Sequence, residues 1–540
     1  MAGVLLIAGL VFSRLLPGRG NADRFTILQI NDVYKVEGIE RETIGGLARV
    51  RALRKEIEKE GQPVLLLHAG DFLYPSVMSK FLEARPMVRC LNLLDGDEEA
   101  FDERLVVTFG NHEFDHESRD VLAQRILESG FRWVTSNILL RDRVGGPGRP
   151  PSHSFKNVSE DLLLDLDGIR VGILGFTVAG SDRHWVDYRN DQRDSLVRET
   201  LKRLKDEGAE VIVALTHQDL PDDEALAAKF PEIDLIVGGH DHFFVQKRKG
   251  RTLITKADSD ARSAVRIDVA VLQDGTVHAT PDKIDLASGA SEDPLLKAAT
   301  QEAHDELKLF YKMEKKRDLT EPVTTTTNFL EGVEPAVRGR ETALGNLLAD
   351  SIRQTLNTRV AFVNGGSIRI NDNIPAGGKI TWEDLEGIFY YDNRLVSFDL
   401  TRDQLLEILR NSVSEVDRGS GRFLQVSCIR FSYRANHPPR YGIEPENVHL
   451  CPDGDPEAPL SEWPSLNTVT EPIAASTIEH FWQNGSKEGY THFAQGAGGK
   501  SPPPKQKEQD RPDWRKTFEE SLKGKVIQAK VEGRIQRVDD

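Results

Sequence analysis

Cysteine is scarce in this chain, and so are long apolar runs. Among 540 residues, thiols occur at Cys90, Cys428 and Cys451, which are too few for a disulfide framework and lack the paired spacing of a zinc knuckle. We therefore expect three buried free thiols, with one disulfide pair as the open alternative. No stretch after the first 22 residues is apolar enough to span a membrane.

An excess of positive charge is also lacking. The 70 Lys and Arg residues are outnumbered by 86 Asp and Glu residues, which gives a formal net charge of −16. This balance excludes an electrostatic basis for binding a nucleic-acid polymer, so a phosphorylated substrate would need local cations. A hydrophobic fraction of 39% indicates a globular protein, and the length favours two domains.

The N-terminus carries a short apolar run over residues 4–12, followed by Gly20-Asn21-Ala22. Nine apolar residues cannot cross a bilayer, but the small residues that follow resemble a signal-peptidase site. Residues 1–22 are therefore either a cleaved export signal or an uncleaved terminus. A cleaved export signal predicts a secreted or periplasmic protein, whereas an uncleaved terminus leaves a cytoplasmic location open.

Short apolar runs that end at Asp, Asn, His or Gly alternate with helical patterns in the first half of the chain. This arrangement predicts an α/β fold with polar side chains gathered at the strand ends. The predicted strands cover residues 25–31, 64–68, 105–109, 170–176, 211–215 and 233–237, and helices cover residues 46–59 and 118–128.

The chain divides into two α/β units. We predict a first domain over residues 23–290, a linker over 291–318 and a smaller second domain over 319–540. An amphipathic helix is expected at about residues 292–317, because apolar residues recur there at helical spacing. Residues 496–513 read as a solvated insertion and residues 525–536 as a closing strand.

Polar side chains at the predicted strand ends are of the types that bind divalent ions. Each has an ordinary structural explanation when taken alone, but their joint recurrence favours a metal site. One Asp between two ligand sets would suit a pair of ions that convert water to hydroxide and hold a phosphoryl group. The candidates are Asp32, Asp71, Asn111, His112, His217, His240 and His242.

The motifs around these residues resemble a known family. Gly70 to Phe72 (GDF), Gly110 to Asp115 (GNHEFD) and Gly238 to His242 (GGHDH), with Thr216-His217, are similar to the signature blocks of calcineurin-like metallophosphoesterases of the 5′-nucleotidase branch. The resemblance implies a four-layer αββα domain with a dinuclear site at its strand ends. It also implies two divalent ions, which could be Zn, Mn, Mg, Fe or Co.

The resemblance assigns a role to each candidate. One ion would bind Asp32, Asp71 and His242, and the other Asp71, Asn111, His217 and His240, with Asp71 as the bridge. His112 would stabilise the transition state or protonate the leaving oxygen, and Asp115 would orient it.

The family's first block usually reads Asp-x-His, whereas Tyr34 stands here. Tyr34 would then coordinate weakly, leave the first ion one ligand short, or pack beside the site.

The second half resembles the same branch over most of its length. Its Arg340-Glu341-Thr342 and Asn364 to Arg369 (NGGSIR) blocks match family motifs. Gly366 would let the backbone approach a phosphate that Arg369 and Arg340 bind. The resemblance implies Arg340, Asn364, Gly366 and Arg369 as substrate residues, with Tyr391 and Phe481 as the two rings around the base and Glu488 at the sugar. Tyr390 is the alternative to Tyr391.

The leading hypothesis is metal-dependent hydrolysis of nucleotide phosphate esters, in which hydroxide held by the two ions attacks phosphorus and His112 assists. Related alternatives are a 2′,3′-cyclic-nucleotide phosphodiesterase, a nucleotide-sugar hydrolase and a thiosulfohydrolase-like enzyme. A non-catalytic nucleotide-binding protein on the same fold is an alternative of another class. The partner is a nucleotide or another phosphorylated small molecule, and the sequence carries no signal for oligomeric state.

Overall fold

The computed structural model describes residues 23–142, 145–181, 183–452, 458–470, 472–490 and 511–539. The possible signal segment and most of the predicted insertion at 496–513 lie outside these residues. The first domain is taken as residues 23–315 and the second as residues 322–537. The boundaries near residues 290 and 318 remain predictions. Among the described residues, no helix has both the length and the apolar character that a bilayer crossing requires.

Two sheets form the centre of the first domain. The larger has the order β15-β14-β1-β2-β3-β4-β6, in which β1, β2, β3, β4 and β6 run parallel. Its strands are β1 (Asp23–Ile30), β2 (Val64–His68), β3 (Asp102–Thr108), β4 (Phe131–Val134), β6 (Val158–Ser159), β14 (Ser263–Val271) and β15 (Val277–Asp285). A separate two-stranded ribbon pairs β5 (Leu139–Leu140) with β9 (Val186–Asp187).

The second sheet has the order β12-β13-β11-β10-β8-β7, with β8, β10, β11 and β13 parallel. Its strands are β7 (Asp161–Leu166), β8 (Ile169–Thr177), β10 (Val211–His217), β11 (Leu235–Gly239), β12 (Val245–Lys249) and β13 (Thr252–Lys256). Apolar residues of both sheets, such as Ile27 and Val213, share one core, so the sheets pack face to face.

Helices cover the outer faces of both sheets. Those on the larger sheet are α1 (Leu47–Glu58), α2 (Val77–Leu82), α3 (Arg85–Asn92), α4 (Arg119–Glu128) and α7 (Pro294–Lys315). Those on the smaller sheet are α5 (Arg193–Asp206) and α6 (Leu220–Lys229). The four-layer αββα arrangement is therefore confirmed. The buried face of α7 ends at Tyr311, which follows Leu307 by four residues, while Phe310 is exposed.

The second domain has its own core around a sheet of order β19-β23-β17-β20. Its strands are β16 (Pro322–Thr325), β17 (Val360–Asn364), β18 (Lys379–Thr381), β19 (Leu395–Leu400), β20 (Leu424–Ser427), β21 (Ile429–Tyr433), β22 (Val448–Leu450), β23 (Ile473–Ile478) and β24 (Ile535–Arg537). Its helices are α8 (Glu334–Val337), α9 (Ala343–Leu356), α10 (Trp382–Ile388), α11 (Arg402–Val413), α12 (Glu479–Asn484) and α13 (Trp514–Leu522).

Two expectations for this domain were wrong. Cys428 and Cys451 form a disulfide, because β21 and β22 pair Ile429 with Leu450 and so bring the flanking cysteines together. Cys90 is the buried free thiol. The closing strand is also shorter than predicted: β24 covers three residues, and Ile527 makes an isolated bridge to Thr326.

Candidate metal centre and substrate cavity

The candidate ligands of the first domain converge from both sheets. Asp32, Asp71 and Asn111 follow the parallel strands β1, β2 and β3, while His217 ends β10. His240 and His242 follow β11. Because the carboxyl ends of parallel strands meet at one edge of a sheet, two sheets packed face to face bring these side chains into one place. The convergence that the sequence predicts is present in the structure.

Two ligand groups share one carboxylate. Asp71, His217 and His240 form one group, and Asp32, Asp71 and His242 form the other, with the ligand atoms of each group within 4.8 Å of one another. Carboxylate oxygen and imidazole nitrogen are suitable donors for divalent ions. The donor set therefore fits two ions bridged by Asp71. Asn111, the remaining predicted ligand, places Oδ1 3.1 Å from Nε2 of His217.

Each carboxylate has one oxygen fixed by protein donors and the other facing the histidines. Oδ2 of Asp32 accepts from the side chain of Asn31 and the backbone N–H of His240, and its Oδ1 lies 3.1 Å from Nε2 of His242. Oδ1 of Asp71 accepts from the backbone N–H of His112 at 2.8 Å, and its Oδ2 lies 3.1 Å from Nε2 of His217. These hydrogen bonds orient one oxygen of each group toward the candidate ions.

The backbone at the site is strained. Asp32, Asp71, His240 and His242 adopt φ values of 53°, 58°, 79° and 61°, a region that residues other than glycine enter rarely and at a cost. Only glycine fits at position 110, because a Cβ atom there would lie 2.0 Å from Oδ1 of Asp71. Strain of this kind clusters at functional sites, where the surrounding structure fixes the side chains.

Tyr34 lies among the ligand atoms of the Asp32–Asp71–His242 group. Its hydroxyl is 2.9 Å from Oδ2 of Asp71, 3.0 Å from Nε2 of His242 and 3.3 Å from Oδ1 of Asp32. Burial, together with the negative charges of Asp71 and Asp32, holds the pKa of Tyr34 well above its ordinary value. The hydroxyl is therefore neutral and donates to a carboxylate, and it contacts the ligand atoms directly. Whether it coordinates an ion stays a prediction.

His112 lies beside this cluster in the short 3₁₀ helix His112–Phe114. Its Nδ1 is 2.7 Å from Oδ2 of Asp115, whose Oδ1 accepts from the hydroxyl of Ser181. Burial alone would lower the pKa of His112, but the charges of Asp115 and Asp71 raise it. The carboxylate of Asp115 fixes the ring orientation and leaves Nε2 facing the ligand cluster, 4.0 Å from Oδ2 of Asp71.

The short distances between the carboxylates and the histidines shift the pKa values of the candidate ligands. Burial would lower the pKa of His217, but Asp71 and Asp32 raise it to about 10. Burial would likewise raise the pKa of Asp71, but His217 and His112 hold it far below its ordinary value. The pKa of His240 is lowered by burial and by the adjacent His217. The buried carboxylates and histidines of the site therefore interact strongly with one another.

Two buried charged residues support the site, and the sequence reasoning gave neither a role. Glu113 accepts the backbone N–H groups of Asp71, Phe72, Leu73 and Gly110, and so joins the two loops that follow β2 and β3. It stands inside the GNHEFD motif, and an acid directly after His112 was the available sequence signal.

The second residue is Lys256, at the end of β13. Its ammonium group donates to the carbonyl oxygens of Gln218 at 2.6 Å and Gly239 at 2.8 Å, and lies 2.9 Å from Asp223. It therefore ties together the segments that carry His217 and His240. A single lysine at the end of an apolar strand was the only sequence signal.

A cavity of about 890 Å³ lies between the metal centre and the second domain. Of the predicted substrate residues, Asn364, Gly366, Arg369 and Tyr391 line it, opposite Asp71, Asn111, His112 and His240. The Arg369 guanidinium lies 5.9 Å from the centre of the Tyr391 ring, and the Tyr391 hydroxyl donates to Oδ2 of Asp115 at 3.2 Å. Both domains therefore contribute to a single cavity.

Arg340 does not reach this cavity. Its side chain is 62% exposed and pairs with Glu331 at 2.7 Å. Arg338, the residue directly after α8, lines the cavity instead. The structure thus places Arg338 at the cavity, two residues before the predicted Arg340.

Phe481 also lies elsewhere. It is 1% exposed in the core of the second domain, with ring centres 6.0 Å from Phe362 and 4.7 Å from Tyr490. Successive residues of α12 point about 100° apart, so His480 faces the cavity while Phe481 faces the core. The side chain of Glu488 lies outside the described part of the structure.

Comparison with known proteins agrees with this architecture. Residues 25–244 match the family model of calcineurin-like phosphoesterases, and residues 322–460 match that of the 5′-nucleotidase C-terminal domain. The trifunctional nucleotide phosphoesterase YfkN of Bacillus subtilis is 27% identical over 95% of this chain, but the chain spans 35% of the length of YfkN.

Two further relatives match over most of both chains. Snake venom 5′-nucleotidase of Crotalus adamanteus is 25% identical over 83% of this chain and 80% of its own length. The crystal structure of a 5′-nucleotidase precursor from Thermus thermophilus superimposes with a TM-score of 0.71, at 22% identity over 96% of this chain and 100% of that one. At that identity, the superposition shows a shared fold.

Proposed function

The chain belongs to the calcineurin-like phosphoesterases of the 5′-nucleotidase type, and on this premise we propose that it removes phosphate from nucleoside monophosphates. The observation that carries the proposal is the position of Asp71. This residue belongs to both ligand groups and also lines the cavity to which the second domain contributes Arg338 and Arg369. A phosphate in that cavity would contact the metal centre on one side and cations on the other.

Asp32, Asp71 and His242 would hold one divalent ion, and Asp71, Asn111, His217 and His240 the other. When bound, such ions lower the pKa of a water molecule and neutralise phosphoryl oxygens. His112 would then give a proton to the leaving oxygen of the nucleoside. Oδ2 of Asp115 accepts a hydrogen bond from Nδ1 of His112 at an N···O distance of 2.7 Å, which keeps the proton on Nδ1 and leaves Nε2 facing the reacting group.

The second domain would bind the substrate. Arg338 and Arg369 offer guanidinium groups for the phosphate, a pairing that is favourable in two-pronged geometry. Gly366 exposes its backbone at the same wall, and Tyr391 offers a ring face for a base. Local arginines would thereby allow an acidic protein to hold an anion.

Phosphate release from AMP, measured with Mn²⁺, Mg²⁺, Zn²⁺, Co²⁺ or a chelator, tests the proposal. We expect release with at least one ion, none with the chelator, and loss of release in Asp71→Asn. Comparison with 2′,3′-cyclic AMP and UDP-glucose tests the substrate class. Preferred turnover of either would replace the monoesterase assignment. Nucleotide binding without release under any ion would indicate a binding protein and overturn the proposal.

We also propose that the protein acts outside the cytoplasm. The disulfide between Cys428 and Cys451 suits an oxidising compartment, and one relative is a venom protein by name. Cell fractionation tests this proposal. Recovery of the folded chain in the cytoplasm with both thiols reduced would contradict it.

A further inference from the structure

Glu334 joins the second domain to the metal centre. It is the first residue of α8 and is buried, with 6% of its surface exposed. Its Oε2 makes a short hydrogen bond with Nδ1 of His242. Nε2 of the same imidazole lies 3.1 Å from Oδ1 of Asp32. One histidine ring therefore contacts the ligand group of the first domain at one nitrogen and the second domain at the other.

The contact at Nδ1 determines what Nε2 can do. A neutral imidazole carries its proton on one nitrogen and offers a lone pair on the other. An anionic acceptor at Nδ1 keeps the proton there, so the lone pair of a neutral His242 lies on Nε2, the nitrogen that faces Asp32 and Tyr34. Carboxylates that accept from metal-binding histidines raise the basicity of the ring, and their loss typically lowers metal affinity by about 10- to 100-fold.

Glu334 is held in place by its own domain. Its backbone N–H donates to Oδ1 of Asn371 at 2.9 Å, and its Oε1 faces Arg338 and lies 3.6 Å from Nη1 of Arg369. The carboxylate is therefore fixed relative to the arginines proposed to bind phosphate. Any rotation of the second domain would carry Glu334 and both arginines together.

A second link runs through Asn371. Its side-chain amide donates to Asp260 of the first domain. Oδ1 of Asp260 accepts the backbone N–H groups of Tyr34 at 3.0 Å and Lys35 at 2.9 Å. The second link thus ends at the backbone of Tyr34, whose hydroxyl contacts Asp32, Asp71 and His242. Within the described residues, no corresponding carboxylate of the second domain contacts His217 or His240.

We propose that Glu334 is a positioning residue that makes metal affinity at the Asp32–Asp71–His242 group depend on the position of the second domain. This inference rests on the ligand assignment in the proposed function. Coupling between two binding equilibria is reciprocal. Metal binding therefore favours the domain arrangement in which Glu334 meets His242, and a domain that moves away loosens one of the two ions.

Metal titration of the full chain without nucleotide tests the proposal. Calorimetry with Mn²⁺ should show two sites in the wild type. Glu334→Ala should weaken one site about 10- to 100-fold and leave the other unchanged. Glu334→Asp should restore part of the loss, which a purely structural defect would not. Glu331→Gln is the matched control, because Glu331 pairs with the exposed Arg340 outside the cavity, and we expect wild-type affinities.

Small-angle scattering supplies a second readout. The wild-type radius of gyration should shift on addition of Mn²⁺, and Glu334→Ala should reduce that shift. Two unchanged affinities in Glu334→Ala would overturn the proposal. Because these measurements contain no substrate, a wild type that binds two ions with the predicted Glu334 effect but releases no phosphate would sustain this inference while the proposed function fails.

Discussion

Nδ1 of His112 lies 2.7 Å from Oδ2 of Asp115, and the same oxygen accepts the hydroxyl of Tyr391 from the second domain at 3.2 Å. The carboxylate that orients the candidate acid is therefore also a point of contact between the domains. His112 is not needed to hold either ligand group together, because its ring lies outside both. Its contribution to turnover and its contribution to metal binding can thus be separated.

The first prediction concerns His112→Ala. We expect kcat for AMP to fall by about 10²- to 10⁴-fold, the range for loss of a general acid, while two ions remain bound. Turnover is measured by phosphate release, and metal content is measured by elemental mass spectrometry. Asp115→Asn should reduce kcat by a smaller factor, since the ring remains. Loss of an ion in His112→Ala would show that the ligand assignment is wrong.

The ligands of the first domain could be predicted because each is a local feature. A buried apolar run predicts a strand, and an Asp or His directly after it needs no knowledge of distant residues. Asp71 and His217 were placed correctly at strand ends on that basis. Glu334 could not be recognised in this way, because an acid in the first turn of a short helix is ordinary. Its role becomes visible once the two domains are in contact.

Tyr34→His is the second prediction. An imidazole at this position would add a nitrogen beside Asp71, Asp32 and His242, all within 3.3 Å of the present hydroxyl. We expect metal affinity at this group to rise by about tenfold or more, the scale of changes next to metal ligands. Tyr34→Phe removes the hydroxyl without adding a ligand. Equal affinities in Tyr34→His and the wild type would place Tyr34 outside the coordination sphere.

The third prediction concerns Glu113→Gln. A glutamine side chain has one acceptor oxygen, whereas the carboxylate has two. Its NH₂ group would therefore face backbone N–H groups such as those of Asp71 and Gly110. Unpaired buried donors cost about 1–3 kcal/mol, so we expect a lower free energy of unfolding and weaker binding of both ions. Urea unfolding and calorimetry measure the two effects. Wild-type values in both would show that the loops do not need the carboxylate.

Orientation within short segments explains why the predicted Arg340 and Phe481 do not line the cavity. Arg338 and Arg340 are two residues apart, and the turn after α8 decides which of them faces the cavity. Phe481 and His480 are neighbours in α12, and the helix decides between them in the same way. The sequence motif locates the segment but does not give its rotation, which depends on how each helix packs against the core.

Lys256→Met is the fourth prediction. The substitution leaves Asp223 and Asp241 without the buried ammonium that now lies 2.9 Å from Asp223. Removing one partner of a buried ion pair costs about 3–5 kcal/mol. We expect that loss in urea unfolding. Lys247→Met is the matched control, because Lys247 pairs with Glu224 at the surface and such pairs contribute about 0–1 kcal/mol. Equal losses in the two variants would contradict a special role for Lys256.

The last prediction uses pH. Glu37 lies in a cavity between the domains. Burial raises the pKa of its carboxyl to about 7, and the charge of Glu383 acts in the same direction, while Lys35 and His304 act in the opposite direction. The folded protein therefore binds this proton more tightly than the unfolded chain, so the free energy of unfolding falls as pH rises from about 4.5 toward 7. Glu37→Gln removes this loss.

We expect thermal unfolding at pH 8 to show Glu37→Gln more stable than the wild type by about 1–3 kcal/mol, and the two to be equal near pH 4.5. Glu56→Gln provides the control, because Glu56 is exposed on α1 and its substitution should change stability little at either pH. A constant difference between Glu37→Gln and the wild type across this range would show that packing, and not the charge of Glu37, sets the effect.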